Sequence, residues 1–311
     1  MEHTNTSHSK LDWIDLALIG MVTIWGVNAV VVRLTYAQIA PVAFMTLRFI
    51  IPAILFALIL FFTDRSFTVS QCDWAWLAVA GFAGTTLYQP FFLFGLQFSD
   101  VSDAALIIAT TPAFVAILNR ALGREHLAPR GWLGIVIAFA GVAFSLSGNR
   151  DFGFNPEMLF GYLLVLLSNL SWATYVVLAA PLMQRHPPLR VTALSTILGA
   201  IPLVLFNAPA LATQNWGGVD WHGWSGILFS SVLGVVVAFV IWNLAVQKIG
   251  AARTAIYQNL TPVIAMLTAV MLLGKEITLV KVIGTVIILF GVQLVRTAKL
   301  DVASSRAQET K

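Results

Sequence analysis

The residues able to do chemistry in this chain sit inside apolar runs, and they recur at helical spacing. Thr254, Tyr257, Gln258 and Thr261 stand at i, i+3, i+4 and i+7, so on one continuous helix they form a single stripe. Ser168, Ser171, Trp172 and Tyr175 repeat the spacing, and Thr85, Tyr88 and Gln89 do so again, with Phe92 extending the line. Trp25 and Asn28 lie three apart in another run, and Trp242 and Asn243 are adjacent in a further one. Amides, hydroxyls and aromatic rings bind and orient a small molecule; they do not break its bonds. The alternative is that such residues only join helices, each worth under about 1 kcal/mol in a membrane. Stripes that add Tyr or Trp to an amide favour a cavity wall, because bulky rings suit close helix packing poorly. The face made of Ala104, Ile107, Ile108 and Thr111 is mostly apolar. The expected cavity is therefore lopsided, amide-rich on one side and apolar on the other, which suits a zwitterion or amide with an apolar or aromatic tail.

Charge inside the runs is sparse. Arg48 is the only Lys or Arg well within one, seven residues from Pro41 and so roughly 10 Å deep at 1.5 Å per residue. Three readings of Arg48 stay open: it faces a cavity and neutralises a substrate carboxylate or a neighbouring helix, it binds backbone carbonyls, or it snorkels to the headgroups. Asp15, Asp73, Asp100, Asp103 and Asp220 all lie at or near the ends of runs. A cation-drug antiporter wants a central membrane carboxylate on which proton and drug compete, so neutral, zwitterionic or anionic substrates are favoured and multidrug export is less so. Asp103, just inside a run, is expected within reach of water and leaves proton coupling open. The single Cys72 excludes an internal disulfide framework, and no Cys/His cluster has metal spacing. A membrane-embedded enzyme would need converging His, Cys or paired carboxylates. No catalytic residue, metal or cofactor is expected.

The elements that must position these residues are membrane-spanning helices. Hydrophobic residues make up 59% of the chain and charged ones 10%, against roughly 25% charge in a soluble domain. The mean hydropathy is +0.86. Ten apolar runs, 14–35, 41–62, 74–96, 102–121, 130–147, 158–180, 189–207, 221–246, 252–273 and 279–297, approach the ~20 residues that carry a helix across ~30 Å of hydrocarbon. They are too long for barrel strands. The first is too long, and too poor in a small-residue cleavage site, to be a signal peptide. With the N-terminus inside, that side collects Lys10, Arg65, Arg120, Arg124, Arg130, Arg185, Arg190, Lys248, Arg253, Arg296, Lys299, Arg306 and Lys311, while Arg33, Arg150, Lys275 and Lys281 lie outside. Both termini are thus expected in the cytoplasm. The pI near 9.4 reflects topology and anionic lipid rather than nucleic acid, since aromatics interleave no basic cluster.

The chain also repeats itself. Shifted by 150, Pro52 meets Pro202, Gly84 meets Gly234, Gln97 meets Gln247, Thr111-Pro112 meets Thr261-Pro262, Gly134 meets Gly284 and Gly141 meets Gly291. Gly123-Arg124-Glu125 answers Gly274-Lys275-Glu276 one residue out of register. Five spans per half is an odd number, so the second half enters the membrane from the opposite side, an arrangement typical of secondary transporters with a midplane site. The expected organisation is a tail over 1–13, a first repeat over 14–147, an external linker over 148–157, a second repeat over 158–297 and a tail over 298–311. Pro112 and Pro262 each remove a backbone hydrogen bond near the midplane and act either as fixed kinks or as hinges; Pro90 is a similar candidate. The glycine pairs, seven residues apart, put a small face on spans 5 and 10 for close packing or for a dimer.

Trp25-Gly26-x-Asn28, Leu47-Arg48-Phe49, the two Thr-Pro spans with their Gly-Arg-Glu and Gly-Lys-Glu ends, and the paired glycines together resemble the EamA-type exporters of the drug/metabolite transporter superfamily, over about 14–297. The resemblance implies ten helices, export of small metabolites, and a central cavity lined by spans 3, 4, 8 and 9 and gated by spans 1, 2, 6 and 7. The combined expectation is an all-α integral membrane protein of two inverted five-helix repeats. It is read as an inner-membrane secondary transporter exporting an amino acid, amide or related compound, with a proton-independent facilitator or exchanger as the alternative. Trp25, Asn28, Arg48, Tyr88, Gln89, Trp172, Tyr175, Trp242, Tyr257 and Gln258 would surround the substrate. The expected partners are that small molecule and the lipid bilayer, with the protein a monomer or homodimer.

Overall fold

A computed structural model describes residues 13–63, 69–124, 127–147, 155–249, 254, 257–274 and 277–309. Most of the 148–157 linker, the N-terminal tail up to residue 12, Arg65, Glu125, Arg150, Arg253, Lys275, Glu276 and Lys311 lie outside the described residues. Regular structure among the described residues is helical throughout. Nine helices among them are long and apolar enough to cross a membrane: α1 (Trp13–Thr35), α2 (Pro41–Thr63), α3 (Gln71–Phe98), α4 (Val101–Ala121), α5 (Pro129–Ser147), α6 (Pro156–Arg185), α7 (Pro188–Thr213), α8 (Trp221–Ala245) and α10 (Leu279–Ala298). The shorter apolar segment α9 (Gln258–Leu273) takes the remaining place. α1 begins and α10 ends at one face of the bundle, called here the terminal face; the first turn of α10 lies at the opposite face.

Polar residues start these helices. Ser70, Asp100, Asn155 and Asp220 each accept a backbone N–H from the first turn of α3, α4, α6 and α8, which satisfies donors that hydrocarbon cannot. The Gly shared by the two repeat motifs ends α4 and α9: Gly123 and Gly274 have φ of 68° and 62°, the left-handed conformation that closes a helix and that a side chain strains.

The Thr-Pro pairs start helices rather than bending them. In α4 one helix stops at Ile108 and another runs Thr111–Ala121, with Pro112 in its first turn. In α9 a 3-10 turn over Gln258–Leu260 precedes Thr261–Leu273, with Pro262 likewise placed. A first-turn proline loses no intrahelical hydrogen bond, so the break falls just before it. The expected stripe from Thr254 to Thr261 therefore runs across a change of helix type.

A second irregularity also occurs once per repeat. Residues Phe82–Leu87 of α3 and Phe229–Val237 of α8 are π-helical, and each contains one of the matched glycines, Gly84 or Gly234. Such segments are rare and concentrate at functional sites. Pro90 follows the first segment, but Val240 stands at the matching position after the second, so proline is not their common cause.

The paired glycines of α5 and α10 join the repeats to each other. A Cβ on Gly291 would lie 2.5 Å from the Ala138 nitrogen and 2.7 Å from the Gly134 carbonyl oxygen, and one on Gly284 would lie 2.6 Å from the Ser145 Cβ. Large apolar side chains such as Phe206, 82% exposed, cover the outside where lipid would be. Trp13, Trp76 and Trp132 stand near the terminal face and Trp221 and Trp224 near the opposite one, as interfacial aromatic belts do. The architecture is a multi-pass membrane bundle of two five-helix repeats, the second inverted.

Candidate functional site

A cavity of about 190 Å³ lies between the repeats at mid-depth. A water needs roughly 10–15 Å³ by this measure, so the space suits a solute on the order of ten non-hydrogen atoms. The resemblance implied walls from spans 3, 4, 8 and 9. In the structure α1, α2, α6, α7 and α10 contribute as well, through Trp25 and Asn28, Arg48, Trp172 and Tyr175, Thr196, and Arg296 respectively. The gating helices thus supply much of the polar and aromatic lining.

One wall is polar. Arg48 is 4% exposed and its Nη1 donates to the Gln89 Oε1 at 3.1 Å, so the guanidinium does not snorkel. It sits 5.7 Å from the centre of the Phe49 ring. The Arg48 Nε, the Asn28 Oδ1 and the Thr261 hydroxyl are buried with no hydrogen-bond partner. Gln258 and Asn259 complete this side from the break in α9. Here the glycine of the α8 π-segment has a local role: a Cβ on Gly234 would lie 3.0 Å from the Asn28 Oδ1, and the Gly234 carbonyl accepts from Trp25 Nε1 at 3.0 Å.

A chain of rings crosses the cavity. Phe92 stacks on Tyr88 at 5.4 Å between centroids; Tyr88 meets Trp172 at 5.4 Å, Trp172 stacks on Phe239 at 6.0 Å, and Phe239 meets Trp25 edge-on at 6.2 Å. Tyr175 joins Trp172 at 4.9 Å. Gly84 makes room for it, since a Cβ there would lie 2.7 Å from the Tyr175 ring. The remaining wall is small and apolar, formed by Ala104, Ala105, Ile108, Ala109 and Ala265. Ile107, expected on this face, is fully buried away from it.

Trp25, Asn28, Arg48, Tyr88, Gln89, Trp172, Tyr175 and Gln258 therefore share one cavity, together with Pro112 and Pro262. Trp242 and Tyr257 stand outside that lining. Trp242 backs Trp25, with ring centroids 6.2 Å apart, and Tyr257 donates its hydroxyl to Asp15 Oδ1 at 2.6 Å, near the terminal face.

Sequence reasoning passed over Asn169. It is 1% exposed, and its amide donates to the Ile107 carbonyl at 2.9 Å and to the Thr110 hydroxyl at 3.0 Å, while its side-chain oxygen lies within hydrogen-bond reach of the Thr111 hydroxyl. It closes the backbone opened by the break in α4. An amide in the middle of an apolar run was the available signal. The matching position in the first repeat is Ile19, so no equivalent residue reaches the break in α9.

Polar contacts join the helices toward both faces of the bundle. At the opposite face Gln38 donates to Asp220 at 2.9 Å, Gln214 accepts from the Ala40 amide at 3.0 Å, and Arg33 donates to the Leu96 and Gln97 carbonyls that end α3. Asp103, expected within reach of water, is instead 0% exposed. Lys281 Nζ lies 2.9 Å from it and the Tyr162 hydroxyl donates to it at 2.7 Å, with Asp100 also 3.6 Å from Lys281. At the terminal face Asp73 pairs with Arg185 at 2.6 Å and His186 at 2.9 Å, and Tyr257 meets Asp15.

The model of the EamA-like transporter family matches this chain twice, over residues 12–147 and 159–297. An uncharacterized transporter of Archaeoglobus fulgidus is 28% identical over 91% of this chain and 98% of its own. The uncharacterized transporter YyaM of Bacillus subtilis is 26% identical over 90% and 92%. A probable amino-acid metabolite efflux pump of Salmonella typhimurium is 25% identical over 92% and 97%. A solved crystal structure aligns with a TM-score of 0.64 over 93% of this chain and 98% of its own, at 19% identity, a likeness of fold. With two tandem matches that leave little beyond the tails and the central linker, the chain belongs to the EamA-like transporter family.

Proposed function

We propose that the protein exports a small metabolite of the amino-acid, amide or related class across a bacterial inner membrane by alternating access. The observation that carries this reading is a cavity between the repeats, with polar contacts from one repeat to the other at both faces of the bundle. Gln38–Asp220 and Gln214–Ala40 join first-repeat to second-repeat residues at one face, and Tyr257–Asp15 and Asp73–His186 do so at the other. Rocking one repeat against the other would exchange one set of contacts for the other. The Salmonella relative, a probable amino-acid metabolite efflux pump, supports the substrate class. The excess of Lys and Arg on the terminal side supports cytoplasmic termini, and Arg48, Gln89 and Asn28 would orient the polar end of the solute.

The test is counterflow in proteoliposomes with labelled amino acids and amides. Saturable counterflow stimulated by substrate on the far side is the expected result. Flux that neither saturates nor responds to substrate on the far side would indicate a channel and overturn the reading. A pH gradient across the same vesicles distinguishes the driving force: counterflow indifferent to it makes the protein a proton-independent facilitator or exchanger.

A further inference from the structure

Arg48 is a charge buried inside a membrane span, with no carboxylate within ion-pair reach among the described residues. Its guanidinium donates to a neutral amide, its Nε has no partner, and no Asp or Glu among the described residues lines the cavity. An unpaired charge in a low-dielectric interior is strongly disfavoured, and membrane proteins retain one where a ligand or partner neutralises it. The acceptors nearest Arg48 leave little for an ammonium group placed beside it. Gln89 Oε1 is occupied by Arg48, and Asn169 Oδ1 lies on the Thr111 hydroxyl. Any ammonium beside a carboxylate docked on Arg48 would feel the guanidinium's repulsion. Next to the cation stands a run of rings, two of its contacts stacked at interplanar angles of 9° and 21°, a shape that accepts a flat apolar body.

We propose that the preferred substrate is an aryl carboxylate or similar planar organic anion carrying no ammonium group, its carboxylate on Arg48 and its ring among Tyr88, Trp172 and Phe239. Gln89 is then a positioning residue: its oxygen holds one arm of the guanidinium and leaves Nε to the ligand. Asn28, whose Oδ1 is a buried acceptor, selects against a second acidic oxygen and favours a hydroxyl or N–H on the solute. The proposal rests on the reading of this cavity as the transport site, and it moves the preferred substrate from zwitterions and amides to the related carboxylates that lack the ammonium group.

Four compounds of one shape test it: 3-phenylpropionate, phenylalanine, 3-phenylpropionamide and phenethylamine. Binding to the purified full-length protein is read by thermal stabilisation and by quenching of tryptophan fluorescence. The acid is expected to bind at least tenfold more tightly than phenylalanine or the amide, with the amine weakest. Arg48→Gln is expected to bring acid and amide within about threefold of each other, and Arg48→Lys to keep the order at lower affinity. Phenylalanine or the amide binding as tightly as the acid overturns the proposal, as does an undiminished preference in Arg48→Gln; the wild-type panel decides even if that variant does not fold. Counterflow of the same compounds, compared with protein-free vesicles, separates the two levels. Exchange without preference for the anion leaves the export reading and sinks this one. Selective binding of the acid with no exchange of any compound does the reverse, and neither binding nor exchange of any of the four overturns both.

Discussion

Removing Lys281 should destabilise the bundle far more than removing Lys281 and the charge of Asp103 together. The Lys281 Nζ lies 2.9 Å from Asp103 and 3.6 Å from Asp100. At an effective dielectric constant of about 20 these contacts amount to gross attractions of about 6 and about 5 kcal/mol. Most of that offsets the cost of burying the ions. What the single deletion Lys281→Met removes is the Nζ 2.9 Å from Asp103, a wholly buried carboxylate that also accepts from the Tyr162 hydroxyl. Breaking one side of a buried pair costs about 3–5 kcal/mol, whereas replacing both charges is often neutral. Asp103→Asn keeps an acceptor for Tyr162 and leaves Asp100 beside the lysine, so its cost should be smaller, about 1–3 kcal/mol. The double variant Asp103→Asn/Lys281→Met should be less unstable than Lys281→Met alone, a coupling of several kcal/mol, with a residual cost at Asp100, which also loses the lysine. Reversible unfolding of the purified protein in bicelles, followed by far-UV circular dichroism against denaturant, measures all three. A Lys281→Met cost under about 1 kcal/mol, or a double variant as unstable as the sum of the singles, would refute the claim that this pair is desolvated and coupled.

Other perturbations follow from the same contacts. Asn169→Leu removes the amide's hydrogen bonds to the Ile107 carbonyl and the Thr110 hydroxyl, leaving those two only each other at the break in α4, at an expected cost of about 1–3 kcal/mol and with loss of transport; a melting temperature equal to wild type would contradict it. Gly291→Ala drives a methyl into the α5 backbone and should lower stability by about 1–3 kcal/mol in the same unfolding assay, whereas Gly20→Ala, with nothing within 4 Å, should be silent. Asp220, just ahead of α8, has its carboxyl held down at about 2, chiefly by the Gln38 amide and further by His222. A depressed carboxyl stabilises above its unfolded value near 3.9 and loses that contribution as pH falls through about 2. The stability of the wild type should therefore decline across that acid window more than that of Asp220→Asn, and parallel pH profiles would remove the role of this contact.

Much of the fold was legible because membrane helices declare themselves locally. Apolar runs of spanning length and the halves' shared Gly and Thr-Pro punctuation point to ten spans in two inverted repeats. The cavity was partly legible for the same reason. Arg48, Gln89, Tyr88 and Trp172 are residues that hydrocarbon would not tolerate or that close helix packing would not choose. Tyr257 and Trp242 carry the same signal, yet they face Asp15 and the back of Trp25, since local spacing states which face of a helix a residue shares but not what lies opposite.

The two Thr-Pro copies divide the matter. By itself the sequence determined that both spans are interrupted at mid-depth and that the interruptions are related by duplication, because a proline fits the first turn of a helix and not its interior. Only the tertiary structure decided what each interruption does. Asn169 of α6 fills the first, with no counterpart at Ile19, so the second leaves the Thr261 hydroxyl and the Gln258 and Asn259 amides to the cavity. The π-helical segments at Gly84 and Gly234 were likewise invisible in the chain, because a glycine permits a close approach without naming the neighbour, and Tyr175 and Asn28 come from other helices. Local covalent chemistry specifies where a helix gives way; partners more than fifty residues distant specify which polar groups are then left for a ligand.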